Sequence, residues 1–313
     1  MIEFERGRIS TAVISTAFGH DGKGLPYYNN PFFPAYQRLV RVAKKTQTTR
    51  FSKSLTRHDR VGNVKPWNPF TWPKYVIRLP NQSMVNAVGL TNPGVEKGAK
   101  RIAESCRKGI EVIPNLYPEL IKGKDIALRE MFESIDILGD AMGDDFWALE
   151  FSGSCPNSEE DIQENEDMVV EFSGAIKKRH PNLILGFKAS ILHTPGVYRR
   201  LEEAGVDFFH NINSIPYYLV FPGKKSPLSK VGGGGVSGRV ISKLVLNHNK
   251  GLSKAINIPI VYGGGVMDSC DFEEYKKLGA YNKNRAYAVS MCTAAILNSG
   301  DVAGILTREN KEV

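Results

Sequence analysis

Eight short apolar runs alternating with helix-patterned stretches predict an α/β fold, a (β/α)8 TIM barrel with a β-hairpin inserted after its second strand. Three observations carry this expectation. The alternation runs through about 290 residues, and eight strands suit a closed barrel better than an open doubly wound sheet. The chain also shows no linker, low-complexity tract or internal repeat, so residues 1–313 are expected to form one barrel domain with an insert at about 64–86.

In chain order the strands fall at 9–16, 50–54, 110–115, 147–152, 183–188, 208–211, 258–262 and 287–290. Each is a brief apolar run bounded by turn formers, the pattern of a strand buried on both faces. Between them, 34–45 places Ala35, Leu39 and Val42 on one helical face, and 121–138, 160–178, 197–204 and 237–255 follow the same three- and four-residue spacing. Pro181, Gly205, Pro259 and Gly279 mark helix ends. The insert contains Trp67, Trp72 and Tyr75, then Val76-Ile77-Arg78-Leu79, which alternates as a hairpin strand does.

Composition narrows the function classes. With 42% hydrophobic and 24% charged residues the chain is neither disordered, collagen-like nor a disulfide scaffold. No apolar run reaches the roughly 18 residues of a membrane helix, and Met1 to Arg8 lack a signal-peptide core, so a cytoplasmic protein is expected. Cys106, Cys155, Cys270 and Cys292 are scattered with no C-x-x-C pair, which opposes a zinc or iron–sulfur site and predicts mostly buried, reduced thiols. The 41 Lys+Arg and 33 Asp+Glu leave a net charge of +8. Its basic clusters, Lys44-Lys45, Lys177-Lys178-Arg179 and Lys224-Lys225, lie far apart and are interrupted by acids, so nucleic acid is not the expected partner.

The chemistry-bearing residues gather where a barrel puts its active site, at the C-terminal ends of the strands. Gly263-Gly264-Gly265 follows the seventh strand, and Cys292-Thr293 follows the eighth and opens a helix. Bare amides there suit a phosphate, although a glycine run also serves as a tight connection. A second run, Gly232-Gly233-Gly234-Gly235 with Ser237 and Gly238, precedes another predicted helix. Lys53 and Lys188 end the second and fifth strands, either facing an anion or reaching the rim. Asn86, Asn115, Asn157, Asn211 and Asn213 fall at strand ends or loops, where amides suit a ligand of alternating carbonyl and N–H groups or simply form turns. Cys155, beside Pro156 just past the fourth strand, is a candidate base or nucleophile.

Taken in order, these residues resemble the dihydroorotate dehydrogenases. Lys53-Ser54-Leu55-Thr56 with Gly62-Asn63 and Pro66 is similar to "K-S-x-T … G-N-x-x-P", and 86–94 (NAVGLTNPG) to "N-S-x-G-L-x-N-x-G". Ser154-Cys155-Pro156-Asn157 matches the "S-C-P-N" of the class 1 enzymes, whereas class 2 enzymes carry a serine base. Gly186-Phe187-Lys188, Asn211-Ile212-Asn213-Ser214, Gly234-Gly235-Val236-Ser237-Gly238, Gly263-Gly264-Gly265 and Thr293-Ala294 continue in the family's order, so the likeness spans about 16–295.

The resemblance implies an FMN-dependent enzyme that oxidises (S)-dihydroorotate to orotate in pyrimidine biosynthesis, with proton abstraction at C5 and hydride transfer from C6 to flavin N5. It makes Cys155 the base and sets Lys53 and Lys188 beside the flavin. It assigns flavin contacts to Ala17, Gly19, Lys53, Ser54, Asn115, Ser152, Lys188, Gly234, Gly235, Gly264, Gly265, Cys292 and Thr293. Substrate contacts fall to Lys53, Asn86, Gly89, Leu90, Asn157, Asn213 and Ser214. A homodimer, and a separate electron-transfer subunit or an acceptor such as fumarate or quinone, are implied in the same way.

Four departures bear on the substrate. Ser152 stands where the family has an Asn that contacts flavin and substrate, and Cys292 replaces the glycine of "G-T". Trp67 replaces a frequent arginine, and 281–285 lengthen the approach to the last strand. They keep two alternatives open: a related FMN barrel reducing another pyrimidine, free or in tRNA, and a non-catalytic barrel that binds FMN, an anion or RNA.

Overall fold

The computed structural model describes residues 1–65, 68–153, 162, 165–279, 281 and 286–310. Its strands are β1 (Ile2–Phe4), β2 (Gly7–Ile9), β3 (Ala12–Ser15), β4 (Arg50–Phe51), β5 (Val76–Leu79), β6 (Ser83–Asn86), β7 (Val112–Ile113), β8 (Asn115–Leu116), β9 (Ala148–Ser152), β10 (Ile184–Lys188), β11 (Phe208–Asn211), β12 (Ile215–Pro216), β13 (Gly235–Gly238), β14 (Ile260–Tyr262) and β15 (Tyr287–Met291). The main sheet runs β7-β4-β3-β15-β14-β11-β10-β9-β8, with every pairing parallel.

The two ends of that order are one strand. β7 and β8 flank Pro114, which has no N–H for a ladder, and the Pro114 carbonyl still accepts from the Glu150 amide at 2.8 Å. β7 pairs with β4 and β8 with β9, so the sheet closes as the eight-stranded barrel read from the sequence. Helices including Pro34–Lys45, Gly94–Arg107 and Ser299–Glu309 lay apolar faces on the outside of the strands.

Side chains alternate along each strand, and the inward set is apolar at the N-terminal end. Val13, Phe51, Ile113, Ala148, Phe208, Val261 and Ala288 pack there with Ile2, Ile9 and Trp147. The antiparallel hairpin β1–β2 therefore closes the barrel floor. The strand expected at 9–16 is divided accordingly: Ser10 and Thr11 turn the chain from the hairpin into β3, with Ser10 and Thr49 exchanging amide-to-hydroxyl bonds of 3.0 and 2.9 Å.

Further expectations are corrected. The hairpin after the second strand spans β5 and β6, but Trp72–Tyr75 is a helical turn and β6 also pairs with β13, giving a four-stranded sheet β12-β13-β6-β5. The helix expected at 237–255 is Ser242–Ala255, because Gly235–Gly238 is drawn into that sheet. The helix expected at 121–138 is Lys124–Met142, displaced by Gly123, whose φ of +90° breaks the preceding turn. Part of the helix expected at 160–178 lies outside the described residues; its ordered body is Glu166–Arg179. The thiols expected to be mostly buried are half-buried at Cys106 and Cys292 and exposed at Cys270. Among the described residues no helix is long and apolar enough to cross a membrane.

Candidate active site

A cleft of about 250 Å³ opens at the C-terminal ends of the barrel strands. Lys53 and Ser54 enter it after β4, and Lys188 from the end of β10. Ile212, Asn213 and Ser214 follow β11, Gly263, Gly264 and Gly265 follow β14, and Cys292 and Thr293 follow β15. Ala17 borders it after β3, and the four-stranded sheet roofs it with Val76, Met84, Asn86, Ser237 and Gly238. Leu90, at a φ of +57°, adds an apolar edge.

The two lysines are held differently. Lys188 is buried, with Nζ 3.3 Å from Ser15 Oγ and 3.9 Å from a Glu150 carboxylate oxygen. Lys53 Nζ donates to the Thr91 carbonyl at 3.4 Å, and the Lys53 carbonyl accepts from His20 Nδ1 at 3.1 Å. Burial, then the Lys53 ammonium, pushes His20 down to about 3, so its ring stays neutral and fastens the backbone at the lysine.

The floor beneath Lys188 is polar. Glu150, which is fully buried, receives a hydrogen bond from His210 Nδ1 on one carboxylate oxygen and from Asn115 Nδ2 on the other. His210 Nε2 lies 2.9 Å from Ser290 Oγ. Burial opposes the Glu150 charge, but the Lys188 ammonium and the hydrogen bonds from His210 and Asn115 outweigh it and hold the carboxyl below its ordinary range. Burial also pushes His210 down, keeping the imidazole neutral with Nδ1–H toward Glu150.

The glycine loop is required by sterics. Gly265 has a φ of +84°, and a Cβ there would lie 2.4 Å from the Ser242 Cα, so only glycine lets β14 turn against the Ser242 helix start. Thr293 Oγ1 donates to Ser237 Oγ at 2.8 Å, tying the end of the barrel to the roof. Cys292 Sγ sits 3.1 Å from Thr16 Oγ1, and burial pushes its thiol up, so it stays protonated.

Other expected residues stand one step back. Asn115 and Ser152 bond each other below the cleft, at 2.8 and 3.1 Å. Gly19 offers its carbonyl to the Lys53 amide at 3.0 Å. Gly234, with a φ of +80°, passes so close to the Asn86 carbonyl that a Cβ would lie 2.8 Å away, and Gly235 pairs with Asn86 across the roof. Gly89 turns beside Asn63, and Asn211 donates to Asn249 at 3.2 Å. Cys155 and Asn157 lie outside the described residues.

Sequence reasoning missed Glu150, His210 and Ser290. Glu150 did leave a signal, a lone charge two residues before Ser152 in an otherwise apolar strand and therefore on the same inward face.

The dihydroorotate dehydrogenase family model matches residues 28–303. The chain is 26% identical over 235 residues to a dihydroorotate dehydrogenase B (NAD(+)) catalytic subunit of Bacteroides thetaiotaomicron, covering 73% of this chain and 71% of that one. The like-named subunit of Malacoplasma penetrans is 24% identical over 251 residues, covering 79% and 74%. That of Alkaliphilus metalliredigens is 28% identical over 222 residues, covering 69% of each chain. A closed barrel, two lysines and a glycine loop at its mouth, and a family match running almost end to end lead to one conclusion: this chain belongs to the dihydroorotate dehydrogenase family.

Proposed function

We propose that the protein is an FMN-dependent dihydroorotate dehydrogenase that oxidises (S)-dihydroorotate to orotate. The observation that carries this reading is the convergence of Lys53, Lys188, Asn86, Asn213 and Ser214 on the cleft that the glycine loop borders. The donor set suits FMN. Two ammonium groups, from Lys53 just past β4 and Lys188 at the end of β10, would stabilise an electron-rich ring, while the bare backbone at Gly264 and Gly265 and the Thr293–Ser237 hydroxyl pair would suit a phosphate.

When bound, the flavin supplies the hydride acceptor. Asn86, Asn213 and Ser214 orient the substrate ring through its amide edge and, with Lys53, its carboxylate. Cys155, two residues past Gly153 on the chain leaving β9, takes the proton from C5. The proton and the hydride leave adjacent carbons, so the ring gains its double bond and the electron count closes.

The named relatives are NAD(+)-linked catalytic subunits. By analogy this chain passes its electrons to NAD(+) through a separate subunit. The test is anaerobic absorbance of the purified protein on adding dihydroorotate. Flavin bands that bleach, and that bleach at least about 100-fold more slowly in Cys155→Ala, support the reading. A colourless protein that takes up no FMN overturns it.

One observation favours a second reading. Ser152 spends its hydroxyl on Asn115, so it offers the ligand less than the family's Asn does. Flavin that bleaches with a neutral dihydropyrimidine but not with dihydroorotate would move the assignment to that substrate.

A further inference from the structure

The inward layers of a barrel are ordinarily filled by branched apolar side chains, and the N-terminal layer here obeys that rule. The next layer toward the cleft does not. Glu150 is fully buried and both its oxygens are engaged, by His210 Nδ1 and by Asn115 Nδ2. His210 passes the chain of contacts to Ser290 at 2.9 Å. Lys188 Nζ lies 3.9 Å from the same carboxylate and 3.3 Å from Ser15 Oγ.

Burying a carboxylate is costly, and an apolar layer of equal volume commonly stabilises a fold as well or better. Stability therefore gives no reason for this layer; its position does. Lys188, His210 and Ser290 all border the cleft, so the carboxylate sits directly behind the groups a bound ring would meet. Its charge opposes that of Lys188 across a water-excluded floor, where such a pair is screened little.

We propose that Glu150 is a positioning residue: clamped by His210 and Asn115, its carboxylate pins the Lys188 ammonium at the cleft floor and sets the net charge that the bound ring experiences. This rests on the reading of the cleft as a flavin site. Without the carboxylate, Lys188 faces the ring uncompensated, and the electron-rich reduced ring is favoured over the oxidised one. His210 acts through Glu150: its Nδ1–H holds one oxygen while its Nε2 accepts from the Ser290 hydroxyl.

The test is the midpoint potential of FMN in the holoenzyme, with FMN content and melting temperature measured beside it. Glu150→Gln keeps the shape and removes the charge. It is expected to shift the equilibrium toward reduced flavin at least tenfold, a rise of about 30 mV for a two-electron couple. Glu150→Asp, which keeps the charge, is expected to stay within threefold of the parent. Where Glu150→Gln does not fold, His210→Gln is read instead and is expected to shift at least threefold in the same direction. A folded, FMN-replete variant with the parent's potential overturns the proposal, because a purely structural carboxylate would alter stability and leave the potential alone. A parent chain that takes up no FMN overturns the flavin reading and this proposal with it.

Discussion

Glu111 precedes β7 half-buried, with one carboxylate oxygen accepting from Thr49 Oγ1 at 3.2 Å. Burial pushes its pKa up to about 7, against an ordinary 4.5, and the attraction of Arg8 and Arg50 only partly offsets that. Between those values the folded chain keeps a proton that the unfolded chain releases, so this carboxyl makes stability fall as pH rises from about 4.5 to 7. Glu111→Gln removes the titration and can still accept from Thr49. Urea denaturation across pH 4.5–8 is therefore expected to show the variant gaining on the parent through that window and levelling off above it. A stability difference that does not change with pH would mean that Glu111 ionises in the folded protein as it does in the unfolded chain. The same contrast between burial and pairing separates the site's acids and bases. His20 and His210 stay neutral by burial, whereas Glu150 stays charged because two donors and an ammonium surround it.

At the scale of elements, the hairpin β1–β2 is the piece whose removal should cost stability without touching the chemistry. Ile2 pairs with Ile9, and both are fully buried against the interior layer that contains Phe51 and Phe208. Ile9→Ala is expected to lower the unfolding free energy by about 2–5 kcal/mol, the usual range for truncating a buried aliphatic side chain. Its flavin spectrum and KM should match the parent's; an altered spectrum would show that the floor and mouth are coupled. This hairpin was not legible as such, because three-residue strands around a Glu5-Arg6 turn leave too little alternation to separate them from β3. The barrel strands were legible, since burial on both faces makes them apolar runs. β13 hid in a glycine-rich stretch that reads as a loop and becomes a strand by pairing with β12 and with β6, whose partner in sequence is β5. The site divided along the same line. Lys53, Lys188 and the glycines declared themselves at strand ends, while the Glu150–His210–Ser290 contacts join residues 60 and 80 positions apart, a proximity that only closure of the barrel creates.

At the scale of the whole molecule, the barrel separates an apolar floor from a charged mouth within a protein of net charge +8. Dihydroorotate carries a carboxylate, and the groups proposed to receive it include the Lys53 ammonium at the rim of an open cleft. Lys188 lies deeper and is partly balanced by Glu150, so the field reaching solvent at the mouth owes more to Lys53 and to the overall charge. Salt screens such a field: the Debye length falls from about 30 Å at 0.01 M to about 3 Å at 1 M. For dihydroorotate, kcat/KM is therefore expected to fall at least threefold as NaCl rises from 10 mM to 500 mM, with kcat nearly constant because screening acts on the approach of the free anion. Lys53→Met should lower the starting value and flatten the salt dependence together. A neutral dihydropyrimidine should show almost none in the parent enzyme. For a substrate that is turned over, the salt dependence thus separates recognition of a carboxylate from recognition of a neutral ring. If dihydroorotate were oxidised with a kcat/KM indifferent to salt, the positive mouth would not be what gathers the anion, and its recognition would fall to the neutral donors Asn86, Asn213 and Ser214.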